Sequence, residues 1–578
     1  MMNPRSTLHP LRSLFSVGML LLIATGCGSR TETKLEPAAR TVEPSAANAP
    51  PATIDNAQVL ALTFPYGSEK KNWLDAVTQQ FNAKRTKTAD GKIIQVQAIP
   101  MGSGELTTEI LEGRLQAHLV SPASSVFIEL GNAESKVAAG RPLVGDTENL
   151  VLSPVVIAMW KPMAEALGWG QRPIGWSDIL EMAQNDQGWS KYGFPQWGHF
   201  KFGHTHPEYS NSGIISLFAE VYAGAGKVRD LTLQDVQRPE VGQYLSDIEQ
   251  SVVHYGSSTG FFGRKLFENG PAYLSAAVLY ENMVIESYDA QYRLPFPVVA
   301  IYPKEGTFWS DHPVGIVDRD WVSAEHRAAA ATYIDFLTDQ PQQQRALEFG
   351  FRPGDPSIPV GSPIDAAHGV DPAEPKTTLE VPSAPVMKSV IDLWKKHKKH
   401  ANVVLALDVS GSMEGDKLQA AKLGAEQLVD LLGDDDYLSL VSFNGNVAWS
   451  KRSLRMGDGR EQARQIVNSL FANGGTAVYD AVHESHAYLL AEPKPGTIAA
   501  VVVLTDGADR NSRTGMAELI DEIRTDNEVR TVRVFTIGYG EDAEADVLER
   551  ISDATQAKYY SGSTDNIREV FKEISTFF

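Results

Sequence analysis

The pentapeptide Asp408-Val-Ser410-Gly-Ser412 closes the apolar run NVVLALD and sets one carboxylate and two hydroxyls side by side at a strand end. Oxygen donors of this kind suit a hard divalent cation, although the pentapeptide alone also reads as a strand-ending turn. A second candidate is Cys27, the only cysteine, separated by two residues from the end of the apolar run Leu14 to Ala24. Ser68 and Ser103 follow strand-like runs in Tyr-Gly-Ser and Gly-Ser-Gly loops ahead of helices. Free backbone N–H groups and a hydroxyl there suit an oxyanion or a carboxylate, with N-capping an equally good account. His204, His206 and Glu208 alternate in a polar loop, and a metal there needs a further ligand. A loop capping the following helix through Asn211 or Ser212 is the better reading. His483 and His486 are three apart, which breaks the zinc-protease spacing and leaves a helix surface.

These residues must be positioned by alternating elements. VLALTFP, IIQVQAI and SSVFIEL read as strands, separated by the helix-like EKKNWLDAVTQQFNAKR and ELTTEILEGRLQAH. Such alternation predicts a parallel sheet covered by helices. VLSPVVIAMW and LPFPVVAIYP are apolar runs able to carry the chain into and out of a second lobe, and AAATYIDFLTDQPQQQRALEFGFRP reads as a closing helical pair. A Pro/Gly/Asp-rich stretch from Arg352 to Pro385 then separates two patterns, and VMKSVIDLWKKHKKH follows as an amphipathic helix with cations in its last turn. Beyond it NVVLALD, YLSLVSF, AAVVVLT and VRVFTIG alternate with KLQAAKLGAEQLVDLL and AVYDAVHESHAYLLA, a doubly wound pattern that binds ligands at the carboxyl ends of its strands. The run Asp434-Asp435-Asp436 is expected to be a solvated turn.

Over residues 57–352 the order of elements, the run around Ser153–Ala158 and the terminal helices resemble periplasmic solute-binding proteins, especially the molybdate-type branch. In that branch loop serines contact the oxyanion, and Ser68 and Ser103 are the matching positions. The motif at Asp408 resembles the metal-ion-dependent adhesion site of von Willebrand factor A domains. That resemblance asks for two further pieces, met by Thr476 in NGGTAVYDAV and Asp506 in AAVVVLTDGAD. It implies Mg²⁺, or Mn²⁺ or Ca²⁺, held by Asp408, Ser410, Ser412, Thr476 and Asp506, with a partner protein adding an acidic side chain. Ala-Thr-Gly-Cys27 resembles a bacterial lipobox, which implies lipidation at Cys27 after removal of a signal peptide.

The expected organisation is a signal peptide (1–26), a lipidated cysteine and Pro/Ala-rich tether (27–56), a two-lobed periplasmic-binding-protein-like domain (57–352), a linker and connecting helix (353–400) and a doubly wound, Rossmann-like von Willebrand factor A domain (401–578), all α/β. A net charge of −20 opposes binding to nucleic acid. No Walker loop, zinc-protease helix or nucleophile elbow is present, so no enzyme is expected. The expectation is a membrane-anchored envelope lipoprotein, on the outer membrane of a two-membrane bacterium, that binds an envelope or surface protein through a metal. Its first domain would sense a small molecule or serve as a docking platform; the alternative is a solute receptor, for an oxyanion by way of example, serving an ABC-type transporter.

Overall fold

The computed structural model describes residues 58–524, 532–540 and 542–578. Cys27, the signal peptide and the tether lie outside the described residues.

The first lobe begins with the parallel pair Val59–Gly67 and Ile93–Met101, in register from Val59 on Ile93 to Gly67 on Met101. Helix Lys71–Lys84 presents Trp73, Leu74, Val77 and Phe81 at helical spacing to this sheet, and Tyr333 and Leu337 of helix Ala324–Thr338 close the core from the other side. The segment SSVFIEL, expected as a strand, is the start of helix Ser125–Ala139. Ser124 caps it by accepting the Val126 N–H at 3.2 Å, and Gly140, at φ 72°, ends it. A cap and a left-handed stop override the strand preference of Val, Phe and Ile. The edge is supplied instead by the short strand Leu119–Val120, paired with Pro313–Val317.

The long strand Val151–Trp160 carries the chain into the second lobe, pairing antiparallel with Ala276–Tyr280 and Val298–Ile301. Phe202–Thr205 and Val252–Gly256 extend this sheet. Helices Ala324–Thr338 and Gln340–Glu348 form the expected closing pair. The Pro-rich stretch after Arg352 is bound to the second lobe: Ile364, Val370 and Leu379 are buried, and Leu379 donates its N–H to the Thr307 carbonyl at 2.8 Å. Arg352 anchors its start with two bonds to Glu281, at 2.8 and 2.7 Å.

The C-terminal sheet has the order Val447–Arg455, Tyr437–Phe443, His400–Asp408, Thr497–Thr505, Val532–Tyr539, Tyr559–Gly562, parallel except at the first. Along its central strand Val403, Leu405 and Leu407 face one helical layer while Val404 and Ala406 face the other, so every second side chain serves a different core. This domain packs on the second lobe. The Tyr255 N–H donates to the Phe577 carbonyl at 3.1 Å, and Trp394 of the connecting helix Ala384–His397 stands edge-on to Tyr255 and His206 at 5.5 and 4.9 Å. Among the described residues no helix is long and apolar enough to cross a membrane.

Candidate metal centre

Strand order places the carboxyl ends of His400–Asp408 and Thr497–Thr505 side by side where the winding reverses, the position at which doubly wound sheets bind ligands. Asp408 and Asp506 sit there, both 0% exposed. Asp408 Oδ1 accepts the Ser410 N–H at 2.7 Å and Oδ2 accepts the Thr505 hydroxyl at 2.6 Å. The Ser410 and Ser412 hydroxyls lie 3.0 Å apart, and Ser412 donates to Asp506 Oδ1 at 2.7 Å. Four of the five residues thus form one continuous polar chain.

Thr476 reaches the same place through its backbone. Gly411 donates to the Gly474 carbonyl at 3.0 Å and Asn473 to the Val409 carbonyl at 2.7 Å, so the 473–476 loop is clipped to the 409–411 loop. The Thr476 N–H donates to Asn511 Oδ1 at 3.0 Å, and Asn511 returns its own N–H to the Thr476 carbonyl at 3.0 Å. A Cβ on Gly475 would lie 2.0 Å from Asn511 Oδ1 and displace that side chain from Thr476.

Burial pushes the Asp408 carboxyl above its ordinary range, against the hydrogen bonds from Thr505 and Ser410, and the Asp506 carboxylate pushes it the same way. The Lys417 ammonium, 2.6 Å from Asp506 Oδ2, supplies one positive charge. Two neighbouring buried carboxylates edged by hydroxyls are a donor set that fits a hard divalent cation. Lys417, Thr505 and Asn511 lie outside the recognised motif. Thr505 ends strand Thr497–Thr505, Lys417 is the second residue of helix Asp416–Leu431 and Asn511 lies in a loop, so only their nearness to the motif in sequence could have signalled them.

Ser68 and Ser103 are both buried and take different protein partners. Ser68 Oγ accepts the Gly260 N–H at 3.1 Å, and Ser103 Oγ accepts the Ala123 N–H at 2.9 Å. At the start of helix Ser103–Leu111 the N–H groups of Gly104 and Glu105 donate to the Tyr209 carbonyl of the second lobe, at 2.9 and 3.2 Å. Beside Ser68, Lys70 donates to Glu69 at 2.7 Å, and His312 Nδ1 lies 3.1 Å from the Lys70 nitrogen and 3.3 Å from Glu69 Oε1 in a buried triad. Burial raises Glu69, yet Lys70 and His312 hold it at about 2, while burial and the Lys70 charge bring His312 down to about 4.

The other candidates differ in part from expectation. Asn211 and Ser212 lie inside helix Asn211–Ala225 and do not cap it: Asn211 donates to Tyr280 and Ser310, and Ser212 bonds Thr205 and Thr259. His486, expected on a surface, is buried and brought down to about 4 by that burial, whereas His483 pairs with Glu522 at 2.9 Å. Asp436 is not solvated: its carboxylate accepts the N–H groups of Ala401 and Gly433 at 2.7 and 2.6 Å.

Fold and site together define a two-lobed α/β binding domain joined to a doubly wound domain with an acidic, hydroxyl-rich strand-end centre. The model of the family "Bacterial extracellular solute-binding protein" matches residues 62–352, half of the chain, and that of the "von Willebrand factor type A domain" matches residues 402–573. The chain belongs to the bacterial extracellular solute-binding proteins and carries a von Willebrand factor type A domain. Domains of the latter kind commonly bind a divalent metal at their adhesion site.

It is similar to the uncharacterised protein sll0103 of Synechocystis sp., 29% identical over 176 residues, 30% of this chain and 40% of that protein. It is also similar to the human inter-alpha-trypsin inhibitor heavy chain H2, 22% identical over 188 residues, 30% of this chain and 20% of the relative. The chain therefore spans well under half the length of these curated relatives. Among solved structures a periplasmic thiamin binding protein aligns at 14% identity and a TM-score of 0.42, covering 59% of this chain and 96% of that one.

Proposed function

We propose that this protein is a lipid-anchored binding protein of the cell envelope that grips a protein partner through a divalent cation, without turnover. Its family is extracellular by description, which agrees with export and with anchoring through Cys27, on the outer membrane in a two-membrane bacterium. The observation that carries the reading is the polar chain Ser410–Ser412–Asp506 beside buried Asp408.

In this reading Ser410, Ser412 and Thr476 offer hydroxyl oxygens, and Asp408 and Asp506 hold the cation directly or through water. Bound Mg²⁺, or Mn²⁺ or Ca²⁺, supplies an electrophile for a carboxylate of the partner. Asp408 is fixed by Ser410 and Thr505, so its carboxylate needs no reorganisation to serve.

The test is a crosslinking pull-down from cell envelopes in Mg²⁺, comparing wild type with Asp408→Ala. Partners kept by wild type and lost by the variant support the reading. An identical set overturns it.

A second reading, a solute receptor for an ABC-type transporter, is favoured by the family match over residues 62–352. An oxyanion of the molybdate type would displace the Tyr209 carbonyl from Gly104 and Glu105 and release the Ser68 and Ser103 hydroxyls. A thermal upshift with such an anion, absent in Ser103→Ala, would favour it; no upshift across a panel of oxyanions and small solutes would remove it.

A further inference from the structure

The second lobe gathers three side chains that neither reading uses. His204 stands on strand Phe202–Thr205, Glu220 in helix Asn211–Ala225, and Glu249 ends helix Pro239–Glu249. All three are 0% exposed, and one ligand atom from each lies within 4.8 Å of the others. His204 Nδ1 is 2.8 Å from the Thr205 carbonyl. A carbonyl only accepts, so Nδ1 carries a proton and Nε2 is turned toward the carboxylates, 3.0 Å from Glu249 Oε1. A histidine oriented through a carbonyl in this way is the usual second shell of a metal ligand.

Both Glu249 oxygens have partners, and Glu220 is only half satisfied. Tyr255 donates to Glu249 Oε2 at 2.6 Å and Ser216 to Glu220 Oε1 at 2.7 Å. Glu220 Oε2 is buried with no hydrogen-bond partner. A buried carboxyl oxygen of this kind calls for a partner.

We propose that His204 Nε2, Glu220 and Glu249 form a buried site for one divalent metal ion of borderline softness, zinc fitting the mixed nitrogen and oxygen set. Three protein ligands of this type are a zinc set with one position left over. Glu249 also holds Tyr255, whose N–H donates to Phe577 and whose ring meets Trp394 at 5.5 Å. A metal here therefore braces the seam between the second lobe and the A-type domain.

The experiment loads the purified full chain with zinc sulfate, desalts it and measures retained zinc by mass spectrometry in wild type, Asp408→Ala, Glu220→Gln and Glu249→Gln. The expected result is about one zinc per chain in wild type and in Asp408→Ala, and under about a tenth of that in the two glutamine variants. No retained zinc in wild type, loss in Asp408→Ala, or full retention in both glutamine variants overturns the proposal. Should the glutamine variants fail to fold, X-ray absorption on zinc-loaded wild type decides. A shell of oxygens with a single imidazole supports the site, and a shell with no imidazole or with several overturns it.

Discussion

Asp506 is shared between two donors, the Ser412 hydroxyl and the Lys417 ammonium, and that sharing sets how the centre responds to substitution. Lys417 is about a third exposed, so its pairing is screened and contributes only about 0.5 kcal/mol. A divalent cation at Asp506 meets this ammonium as a like charge. Lys417→Met is therefore expected to tighten Mg²⁺ binding by about two- to threefold in titration calorimetry, the fold-change that corresponds to such an energy. Thr505 acts differently, because its hydroxyl satisfies a carboxylate oxygen that water does not reach. Thr505→Val should lower stability to urea by about 1–3 kcal/mol, the cost of a buried acceptor left without its donor. Asp408, Ser410, Ser412 and Asp506 were legible because they lie at or just beyond the end of an apolar strand; Thr476, expected at such a junction, instead lies in the loop between helices Met456–Ser469 and Val478–Ala491 and was legible only through the motif. Lys417 was not, since a lysine at the second position of a helix carries no pattern of its own.

At the scale of elements, the helix beginning at Ser103 is held by its glycines. A Cβ on Gly104 would lie 2.0 Å from the Glu208 carbonyl oxygen, backbone that cannot swing aside as a side chain can. Gly104→Ala should therefore cost about 1–3 kcal/mol or more through forced backbone movement. A lowered urea midpoint with an unchanged far-ultraviolet spectrum would report this, and an unchanged midpoint would mean the two lobes part freely at this seam. Periodicity made most elements readable: the four central strands of the A-type domain and the closing helical pair follow their apolar spacing. It failed where the decisive information was an end signal or a tertiary neighbour. Ser124 and Gly140 turn SSVFIEL into a helix, and Asp436 is buried because the N–H groups of Ala401 and Gly433 await it. No spacing within either segment encodes those partners.

The whole molecule is joined across the face where Phe577 meets His254, Phe261 and Phe535. His254 is buried there, with Nδ1 on the Tyr255 carbonyl at 2.8 Å, Nε2 without a partner, and the Arg533 guanidinium over the neighbouring Tyr273 ring at 5.2 Å. Burial, and then the Arg533 charge, bring its pKa down to about 3. The unfolded chain binds this proton below about pH 6.5 while the folded chain refuses it down to about pH 3. Stability is thus complete above about pH 6.5 and falls with acid through that window, by up to about 1.4 kcal/mol per pH unit from this residue. His312, held at about 4 in the first lobe, adds a loss of the same sign over a narrower range. Urea midpoints measured from pH 7 to pH 5, above most of the carboxylate range, should therefore decline in wild type. The decline should be shallower in His254→Asn, whatever that substitution does to the absolute midpoint. Equal slopes would show that the interface opens before the chain unfolds and lets His254 titrate as a solvated side chain. In that case acid separates the two domains first, and limited proteolysis at pH 5 should cut the Ala384–His397 helix while both halves remain folded.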